Sequence, residues 1–285
     1  MRLPQFYIDD IIRRALAEDI NYIDVTTDYL IADDAQTTAY FVAKDSGVLC
    51  GMEIALRVFE LLDPNASFET LKREGDDVAK GDILARISGR TGALLKGERT
   101  SLNLLQHMSG IATATRTCVR LIEGTNATIA ETRKTLPGLR ALQKYAVVTG
   151  GGRNHRFNLS DAAMLKDNHI DAYGSLTKAV EALRAHTGHM VTIEVETRTL
   201  DELREALAAG ANVIMLDNMD YAMMAEAVRI TAGRAKLEAS GNITHENIRA
   251  VAETGVDIIS LGALTHSVKA FDISMRIGGG VPPLA

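Results

Sequence analysis

The feature that most constrains the fold is a regular alternation of strand-like and helical segments in the second half of the chain. Short apolar runs recur at intervals of 22 to 34 residues and begin near Ile129, Ala163, Val191, Val213, Lys236 and Ile258. Helical patterns fill the gaps, at 137–148, 176–185, 200–208, 221–231 and 245–254. Strands and helices that alternate at this short period form βα units around a parallel sheet. Six units without a GxGxxG fingerprint predict an α/β fold with an incomplete or irregular βα-barrel.

The first hundred residues follow a different pattern. A helix is predicted from Pro4 to Glu18 and another from Met52 to Leu62, among short apolar runs at 39–43, 47–51, 68–71 and 83–87. The segment 74–82 resembles the turn pairs of biotinyl/lipoyl hammerheads, but it lacks their attachment lysine. A long helical stretch, 98–123, is expected to break near Ser109-Gly110. We therefore predict a smaller N-terminal α+β domain, hammerhead-like, at 1–110 and a barrel domain at 111–285, whose C-terminal tail could pack back on the first.

Composition excludes several classes of protein. With 46% hydrophobic and 24% charged residues, the chain is typical of a soluble globular protein. Its two cysteines, Cys50 and Cys118, form no CxxC pair, which indicates free thiols in a reducing compartment. The N-terminus lacks an apolar signal core and no apolar run is long enough to span a membrane, so we expect a cytoplasmic protein with no membrane partner. A net charge of −6 and the absence of Trp argue against nucleic-acid binding.

The segment 131–169 is a cationic island within this acidic chain. It holds seven Lys or Arg residues against three acids, whereas the whole chain has a net charge of −6. Arg140 and Lys144 have the spacing of exposed helix positions. The remaining cations adjoin predicted strand ends or the glycine run 150–152, whose backbone amides could approach an anion closely. This pattern predicts a site for a compact anionic ligand.

Polar or glycine residues follow each predicted strand of the barrel. They are Arg133-Lys134, Lys166–His169, Glu194–Glu196, Asp217-Asn218, Glu238–Asn242 and Gly262-Ala263. In βα-barrels the carboxyl ends of the strands meet on one face and carry the catalytic groups. The predicted rim therefore has a cationic half and an acidic half, the acidic half comprising Glu196, Asp217 and Glu238.

The two halves suit different parts of a ligand pair. Arg133, Lys134, His155, Arg156 and Lys166 suit carboxylates or phosphates. The acidic half suits Mg²⁺ or sugar hydroxyls, and the late loops 240–242 and 261–263 could hold phosphate at helix N-termini. A phosphoribosyl diphosphate and an aromatic acid make such a pair.

Motifs along almost the whole chain carry a resemblance to a known family. They lie at 18–19, 24–27, 97–103, 109–113, 131–156, 166–169, 194–196, 216–218, 238–242 and 260–263. With these motifs the chain resembles the quinolinate phosphoribosyltransferase family, the carboxylating nicotinate-nucleotide pyrophosphorylases, and the block Glu131–Arg156 is the most specific. One departure is Ile23, where the family usually has Gly; it lies away from the predicted rim.

The resemblance implies a transferase of NAD biosynthesis that uses quinolinate, phosphoribosyl diphosphate and Mg²⁺. It implies a homodimer, in which Arg99 reaches a quinolinate carboxylate across the interface. Catalytic roles fall on Lys134, Lys166, Glu196 and Asp217, of which Glu196 and Asp217 would contact the metal directly or through water. Substrate-binding roles fall on these four and on Arg99, Thr132, Arg133, His155, Arg156, Ser240, Gly241, Asn242, Ser260, Leu261, Gly262 and His266.

Three alternatives remain open at this point. Lys166 at a strand end could form a Schiff base, as in a barrel aldolase. A related pyrophosphorylase-like protein of the molybdate-transport group shares much of the framework but acts on another substrate. A phosphate-sensing or carrier-like protein would account for the hammerhead-like segment, but it would leave the polar rim without a purpose.

Overall fold

The computed structural model describes residues 3–278 of the chain. The helices are α1 (Gln5–Asp19), α2 (Thr27–Leu30), α3 (Met52–Leu62), α4 (Thr91–Leu121), α5 (Arg140–Thr149), α6 (Asp167–Tyr173), α7 (Leu176–His186), α8 (Leu200–Ala208), α9 (Tyr221–Thr231), α10 (Ile248–Glu253) and α11 (Ala263–His266). The strands are β1 (Gln36–Ala43), β2 (Gly47–Val48), β3 (Ser67–Thr70), β4 (Asp77–Val78), β5 (Ile83–Arg90), β6 (Thr128–Ala130), β7 (Ala163–Leu165), β8 (Ile193–Thr197), β9 (Val213–Asp217), β10 (Lys236–Ser240), β11 (Ile258–Ser260) and β12 (Ile273–Ile277).

The chain divides into two compact units. The first comprises 1–116, 136–150 and 267–285, and the second comprises 117–135 and 151–266. The domain boundary proposed at residue 110 stays a prediction, and residue 110 itself lies within α4. Among residues 3–278, no helix is both long enough and apolar enough to cross a bilayer.

The first unit is built on a four-stranded antiparallel sheet in the order β12-β1-β5-β3. β1 pairs with β5 on one side and with β12 on the other, so that Phe41 lies opposite Met275. Phe41 and Phe59 are fully buried with ring centroids 6.1 Å apart, and they join strand β1 to helix α3. Burial of apolar side chains on this scale is the main source of stability in the unit.

The start of α3 is closed by an acidic side chain from a distant turn. Glu74 Oε1 accepts a hydrogen bond from Gly51 N at 2.7 Å, and its Oε2 accepts one from Met52 N at 3.3 Å. A carboxylate at this position satisfies free amides and complements the positive end of the helix dipole. Glu74 thereby ties the hammerhead-like segment to the core helix.

The second unit contains a six-stranded parallel sheet in the order β6-β11-β10-β9-β8-β7. Alternate strand residues such as Val195, Ile214 and Leu216 are fully buried. Helices α8 and α9 contribute buried apolar side chains to this unit, and α8 packs against β8 and β9. The other set of alternate residues, including Glu196, Met215 and Asp217, points to the opposite face, because side chains alternate along a strand.

Short polar residues start the helices on the outside of this sheet. Ser175, Thr199 and Asp220 are the N-caps of α7, α8 and α9, and each side chain accepts a hydrogen bond from an amide in the first turn.

The predicted α/β fold is confirmed: β7, β9, β10 and β11 begin at the predicted residues, and so do α7, α8 and α9. Because β6 and β7 form the two edges of the hydrogen-bonded sheet, the barrel is an incomplete one, as predicted.

The predicted break in the long helix was wrong. α4 runs without interruption through Ser109 and Gly110. Ser109 Oγ accepts from Cys50 N at 3.0 Å and donates to Cys50 O at 3.1 Å. A Cβ on Gly110 would overlap the carbonyl oxygen of Lys269. The two small residues therefore permit close packing within the first unit and do not end the helix.

The expectation for Lys144 was also wrong. Its side chain is completely buried on α5, whereas Arg140 is partly exposed as a surface position would be. α5 is buried on more than one side, since Ala141, Leu142, Ala146 and Val147 are all core residues. The spacing of Arg140 and Lys144 therefore did not mark a solvent-exposed face of this helix.

Candidate functional site

A cavity of about 360 Å³ lies at the carboxyl ends of the parallel strands in the second unit. It is lined by Thr132, Arg133, Lys134, His155, Arg156, Met164, Lys166, Glu196, Met215, Asp217 and Ser240. All of these except Met164 and Met215 are residues that the sequence analysis assigned to the site. The structure therefore brings both the cationic and the acidic halves of the predicted rim around one space.

Strand register places the acidic side of the cavity. In the parallel sheet Glu196 is the register partner of Met215, and Asp217 that of Ser240. Residues in register on neighbouring strands point to the same face of the sheet. The carboxylates of Glu196 and Asp217 and the hydroxyl of Ser240 consequently face the cavity together.

The turn after β6 presents Lys134. Lys134 N donates to Thr132 Oγ1 at 3.1 Å, and Lys134 O accepts from Thr265 Oγ1 at 2.8 Å. A Cβ on Gly262 would lie 3.0 Å from Lys134 Cδ and 3.1 Å from His266 Cδ2. Glycine at 262 therefore leaves room for the lysine side chain beside the start of α11.

Lys166 joins the two halves of the rim. Its amide donates to His169 Nδ1 at 3.0 Å at the start of α6. Its Nζ lies 3.3 Å from Glu196 Oε2. The Lys166 side chain is about half exposed, whereas that of Glu196 is mostly buried.

Arg156 and Arg133 form the most strongly cationic part of the cavity. Arg156 Nη1 donates to Ala162 O at 2.8 Å and its Nη2 lies 3.6 Å from Met164 Sδ. Burial, and then the positive charge of Arg133, lower the pKa of Arg156. The Nε atoms of both arginines are buried and have no hydrogen-bond partner among residues 3–278. Two like charges with unpaired buried donors are costly unless an anion satisfies them.

A buried cluster lies below the cavity, around His155. His155 Nε2 is 3.1 Å from Glu194 Oε2 and 3.5 Å from Glu238 Oε1. His155 N donates to Glu131 Oε1 at 3.1 Å, and His155 Nδ1 accepts from Arg156 N at 2.8 Å. A second cavity of about 340 Å³ reaches this cluster, and His155 and Arg156 line both cavities.

Two groups of the cluster, His155 and Glu194, have raised pKa values. Burial lowers the pKa of His155, but its hydrogen bonds to Glu194 and Glu238 outweigh burial and raise it. Burial also raises the pKa of Glu194.

Glu238 was wrongly assigned to the acidic half of the rim. It lies in the middle of β10 and is 2% exposed, with its carboxylate directed to His155. Glu194 was likewise expected after a strand, but it is the second residue of β8 and is buried. In both cases the strand is longer or later than predicted, so the glutamate falls inside it and the rim position goes to Ser240 or Glu196.

The loops after β9 and β10 hold each other in an unusual conformation. Asn218 and Asn242 both have positive φ, 55° and 52°, and Asn242 Nδ2 donates to Asn218 Oδ1 at 2.9 Å. Gly241, which directly precedes Asn242, has φ 94°, and a Cβ there would overlap Asn218 Oδ1. Such conformations concentrate at functional sites. The contact fixes Gly241 as glycine beside Asp217, whose Oδ2 accepts from Asn218 Nδ2 at 3.0 Å.

The remaining predicted residues lie outside the cavity lining. Ser260 and Leu261 are buried at the end of β11, and the Ser260 hydroxyl has no hydrogen-bond partner within the described part of the chain. Gly262 precedes α11 next to Lys134, His266 is the last residue of α11, and Gly241 and Asn242 follow β10. Arg99 is an exposed residue of α4 in the first unit, whereas every lining residue belongs to the second. The substrate-binding roles of these residues stay predictions.

Two groups of side chains could hold a cation. Donor atoms of His155, Glu194 and Glu238 lie within 4.8 Å of one another, and Glu194 Oε1 and Glu238 Oε1 are buried without a hydrogen-bond partner among the described residues. Glu196 and Asp217 offer carboxylate oxygens to the cavity itself, and oxygen is the ligand that Mg²⁺ prefers. The donor chemistry therefore fits the magnesium site that the sequence analysis predicted at Glu196 and Asp217.

Sequence analysis missed Met164 and Met215 because it considered only polar, charged and glycine residues at the strand ends. The spacing along the predicted strands could have identified both methionines. Each methionine lies two residues before a predicted rim residue, Lys166 or Asp217, and side chains two apart on a strand share a face. The same alternation would have placed Glu238 below Ser240.

Fold and site together define an α/β protein with a cavity lined by cationic and acidic side chains at the carboxyl ends of a parallel sheet. Comparisons with known proteins identify the family to which it belongs. The domain models for quinolinate phosphoribosyl transferase match residues 24–109 (N-terminal domain) and 111–276 (C-terminal domain). The chain belongs to the quinolinate phosphoribosyl transferase family.

Individual relatives agree with this assignment. The probable nicotinate-nucleotide pyrophosphorylase (carboxylating) of Bacillus subtilis (strain 168) is 48% identical over 260 residues, which cover 91% of this chain and 90% of the relative. The chloroplastic nicotinate-nucleotide pyrophosphorylase (carboxylating) of Arabidopsis thaliana is 43% identical over 293 residues, covering 96% and 84%. The crystal structure of NadC from Streptococcus pyogenes aligns with a TM-score of 0.94 at 42% identity, over 97% of this chain and 98% of that one.

Proposed function

We propose that this protein is a phosphoribosyltransferase that joins quinolinate to 5-phosphoribosyl 1-diphosphate. Its products are nicotinate mononucleotide, diphosphate and CO₂, and the reaction belongs to NAD biosynthesis. The observation that carries this conclusion is family membership over almost the whole chain, at residues 24–109 and 111–276. A Schiff-base lyase or a carrier protein would have neither this relationship nor a use for the divided rim.

Recognition of quinolinate is assigned to the cationic half. Arg133 and Arg156 each keep a buried Nε–H without a partner among the described residues. A dicarboxylate supplies two acceptors of the required charge, and guanidinium groups bind carboxylates with defined geometry. Lys166, whose Nζ reaches Glu196, is the third cation of this pocket.

The phosphoribosyl diphosphate is assigned to Lys134 and the acidic half. Glu196 and Asp217 would hold Mg²⁺, directly or through water, and the metal would neutralise charge on the diphosphate. Lys134, held between Thr132 and Thr265, would face the departing diphosphate. Ser240, Gly241, Gly262 and His266 would surround the 5-phosphate, with backbone amides as donors.

The proposed chemistry is electrostatic. As the diphosphate leaves, the ribosyl carbon acquires positive charge, which the carboxylates of Glu196 and Asp217 stabilise while Lys134 stabilises the leaving group. The quinolinate nitrogen then forms the new bond to the ribosyl carbon. The bond to the 2-carboxylate breaks with release of CO₂, its electron pair remains on the ring carbon beside the quaternised nitrogen, and a proton completes the product.

Assembly and location follow from the same assignment as proposals. We propose a cytoplasmic homodimer in which Arg99 of one subunit completes the quinolinate pocket of its partner. Arg99 is exposed on α4, and an exposed arginine is available to a second subunit.

The test is to mix purified protein with phosphoribosyl diphosphate, Mg²⁺ and either quinolinate or nicotinate, and to follow CO₂ and nicotinate mononucleotide. Product from quinolinate alone is expected. Product from nicotinate alone would reject the decarboxylating reaction. Product from neither, with phosphoribosyl diphosphate still bound, would move the function to the related pyrophosphorylase-like proteins of the molybdate-transport group.

A further inference from the structure

Arg156 is held by an unusual pair of hydrogen-bond acceptors. Its Nη1 donates to the carbonyl oxygen of Ala162 at 2.8 Å, and its Nη2 faces the thioether sulfur of Met164 at 3.6 Å. Both acceptors are neutral and come from one short segment at the start of β7. The third guanidinium nitrogen, Nε, is buried and has no hydrogen-bond partner within residues 3–278.

Neutral acceptors leave the charge of Arg156 available. A carboxylate in the place of Met164 would bind the guanidinium more strongly, but it would also neutralise it. A thioether is only a weak acceptor, so it can orient an N–H without competing with an incoming anion. The charged groups that act on Arg156 are Arg133 and, more weakly, Glu194.

Backbone geometry places the Met164 side chain on the cavity face of the sheet, where its sulfur can orient Arg156. Met164 is the register partner of Glu194 in the parallel sheet and lines the cavity. Its neighbour Leu165 is buried on the other face, as strand alternation requires. An aliphatic side chain at 164 would fill the same space but leave Nη2 unsatisfied in a partly buried position.

We infer that Met164 is a positioning residue for quinolinate recognition, and that its sulfur orients Arg156 while leaving the guanidinium charge for the substrate. This inference rests on the function proposed above. Met164 then affects the affinity for the dicarboxylate and has little effect on the phosphoribosyl diphosphate, which is assigned to the opposite half of the rim.

Three substitutions separate the hydrogen-bond acceptor from the packing of the side chain. Met164→Leu keeps the volume and removes the acceptor. Met164→Gln keeps the length and supplies a stronger neutral acceptor, whereas Met164→Glu supplies a charged one. Met224→Leu is the matched control, because Met224 is a buried methionine of α9 in the same unit outside the cavity lining.

The measurement is the KM for each substrate and kcat, on variants whose thermal unfolding matches the wild type. We expect Met164→Leu to raise the KM for quinolinate roughly three- to tenfold, as loss of one hydrogen bond would. Met164→Gln should stay within about twofold of wild type, and Met164→Glu should raise the KM more than about tenfold. The KM for phosphoribosyl diphosphate should change less than about twofold throughout, and Met224→Leu should match wild type.

The outcomes are distinguishable. A Leu variant like wild type together with an impaired Gln variant would mean that Met164 only packs, and would overturn the inference while leaving the function intact. Equal increases in both KM values would overturn it as well. Absence of quinolinate turnover in the wild type itself would instead reject the proposed function, and this inference with it.

Discussion

Single residues of the cavity are arranged to favour an anion over water. The guanidinium groups of Arg133 and Arg156 repel each other, and each retains a buried Nε–H without a partner in the described chain. Neutral acceptors hold the rest of Arg156 in place. This preorganisation means that little reorganisation is needed when a dicarboxylate enters.

Lys134 provides the sharpest test of the proposed leaving-group role. Lys134→Ala should lower kcat/KM by about 10² to 10³, because a positive charge aimed at the developing diphosphate would be lost. Steady-state kinetics with quinolinate measure this. Lys178→Ala, which removes an exposed lysine of α7, is the control and should leave the rate unchanged. Near-normal turnover by the Lys134 variant would contradict its assignment.

His107 should make stability depend on pH. Gln143 Oε1 accepts from Leu136 N at 2.9 Å, so Gln143 Nε2 donates to His107 Nε2 at 2.9 Å, and the ring is neutral. Burial lowers the pKa of His107 below its ordinary 6.5. The unfolded chain therefore binds a proton near pH 6.5 while the folded chain resists it, and stability falls as pH decreases below that value.

The His107→Gln variant removes this titration. Between pH 7.5 and 5.5, the Tm of the wild type should drop by about 1–2 °C more than that of the variant. Differential scanning fluorimetry at both pH values measures the difference. Parallel declines in the two proteins would show that His107 does not contribute.

At the scale of elements, packing outweighs helix propensity in α4. Replacing Gly110 by Ala would gain about 1 kcal/mol from propensity alone. The added Cβ would, however, overlap Lys269 O, and overpacking of this kind costs about 1–3 kcal/mol. We therefore expect Gly110→Ala to cost up to about 2 kcal/mol net and to lower the Tm by up to a few degrees.

The control for this prediction is Gly188→Ala. A Cβ at Gly188 meets nothing within 4 Å, and its φ is not in the left-handed region. Thermal unfolding of that variant should be unchanged or slightly raised. An increase in Tm for Gly110→Ala would show that the Lys269 segment moves aside at no cost.

Sequence reasoning predicted the elements with clear periodicity and failed where packing decides. The βα period located four strands to the residue, and the shared edge of parallel strands brought nine predicted residues around one cavity. It could not show that Gly110 serves a close contact, that Lys144 is buried, or that Glu238 lies inside a strand. These depend on neighbours distant in sequence. Hydrophobic patterns do not reveal them.

For the whole molecule, the proposed sharing of Arg99 between subunits has a distinctive consequence. Arg99→Ala and Lys134→Ala should each be nearly inactive as homodimers. If Arg99 acts in the partner's site, a mixed dimer has one intact site and one doubly defective site. Free exchange of subunits makes half of the dimers mixed, so about a quarter of wild-type activity should return.

Co-expression of the two variants with separate affinity tags allows the mixed dimer to be purified and assayed. No recovery of activity in an isolated mixed dimer would show that Arg99 serves the site of its own subunit. A single-subunit mass by light scattering would contradict the dimer itself.

The pairing of β1 with β12 sets an order of events during translation. Phe41 is synthesised before the whole second unit, and its register partner Met275 is synthesised after it. At ordinary rates of synthesis this delay is on the order of 10–50 s. During that time the edge of β1 that β12 will cover stays open to other strands. The N-terminal sheet is thus completed last, although its first strands are made first.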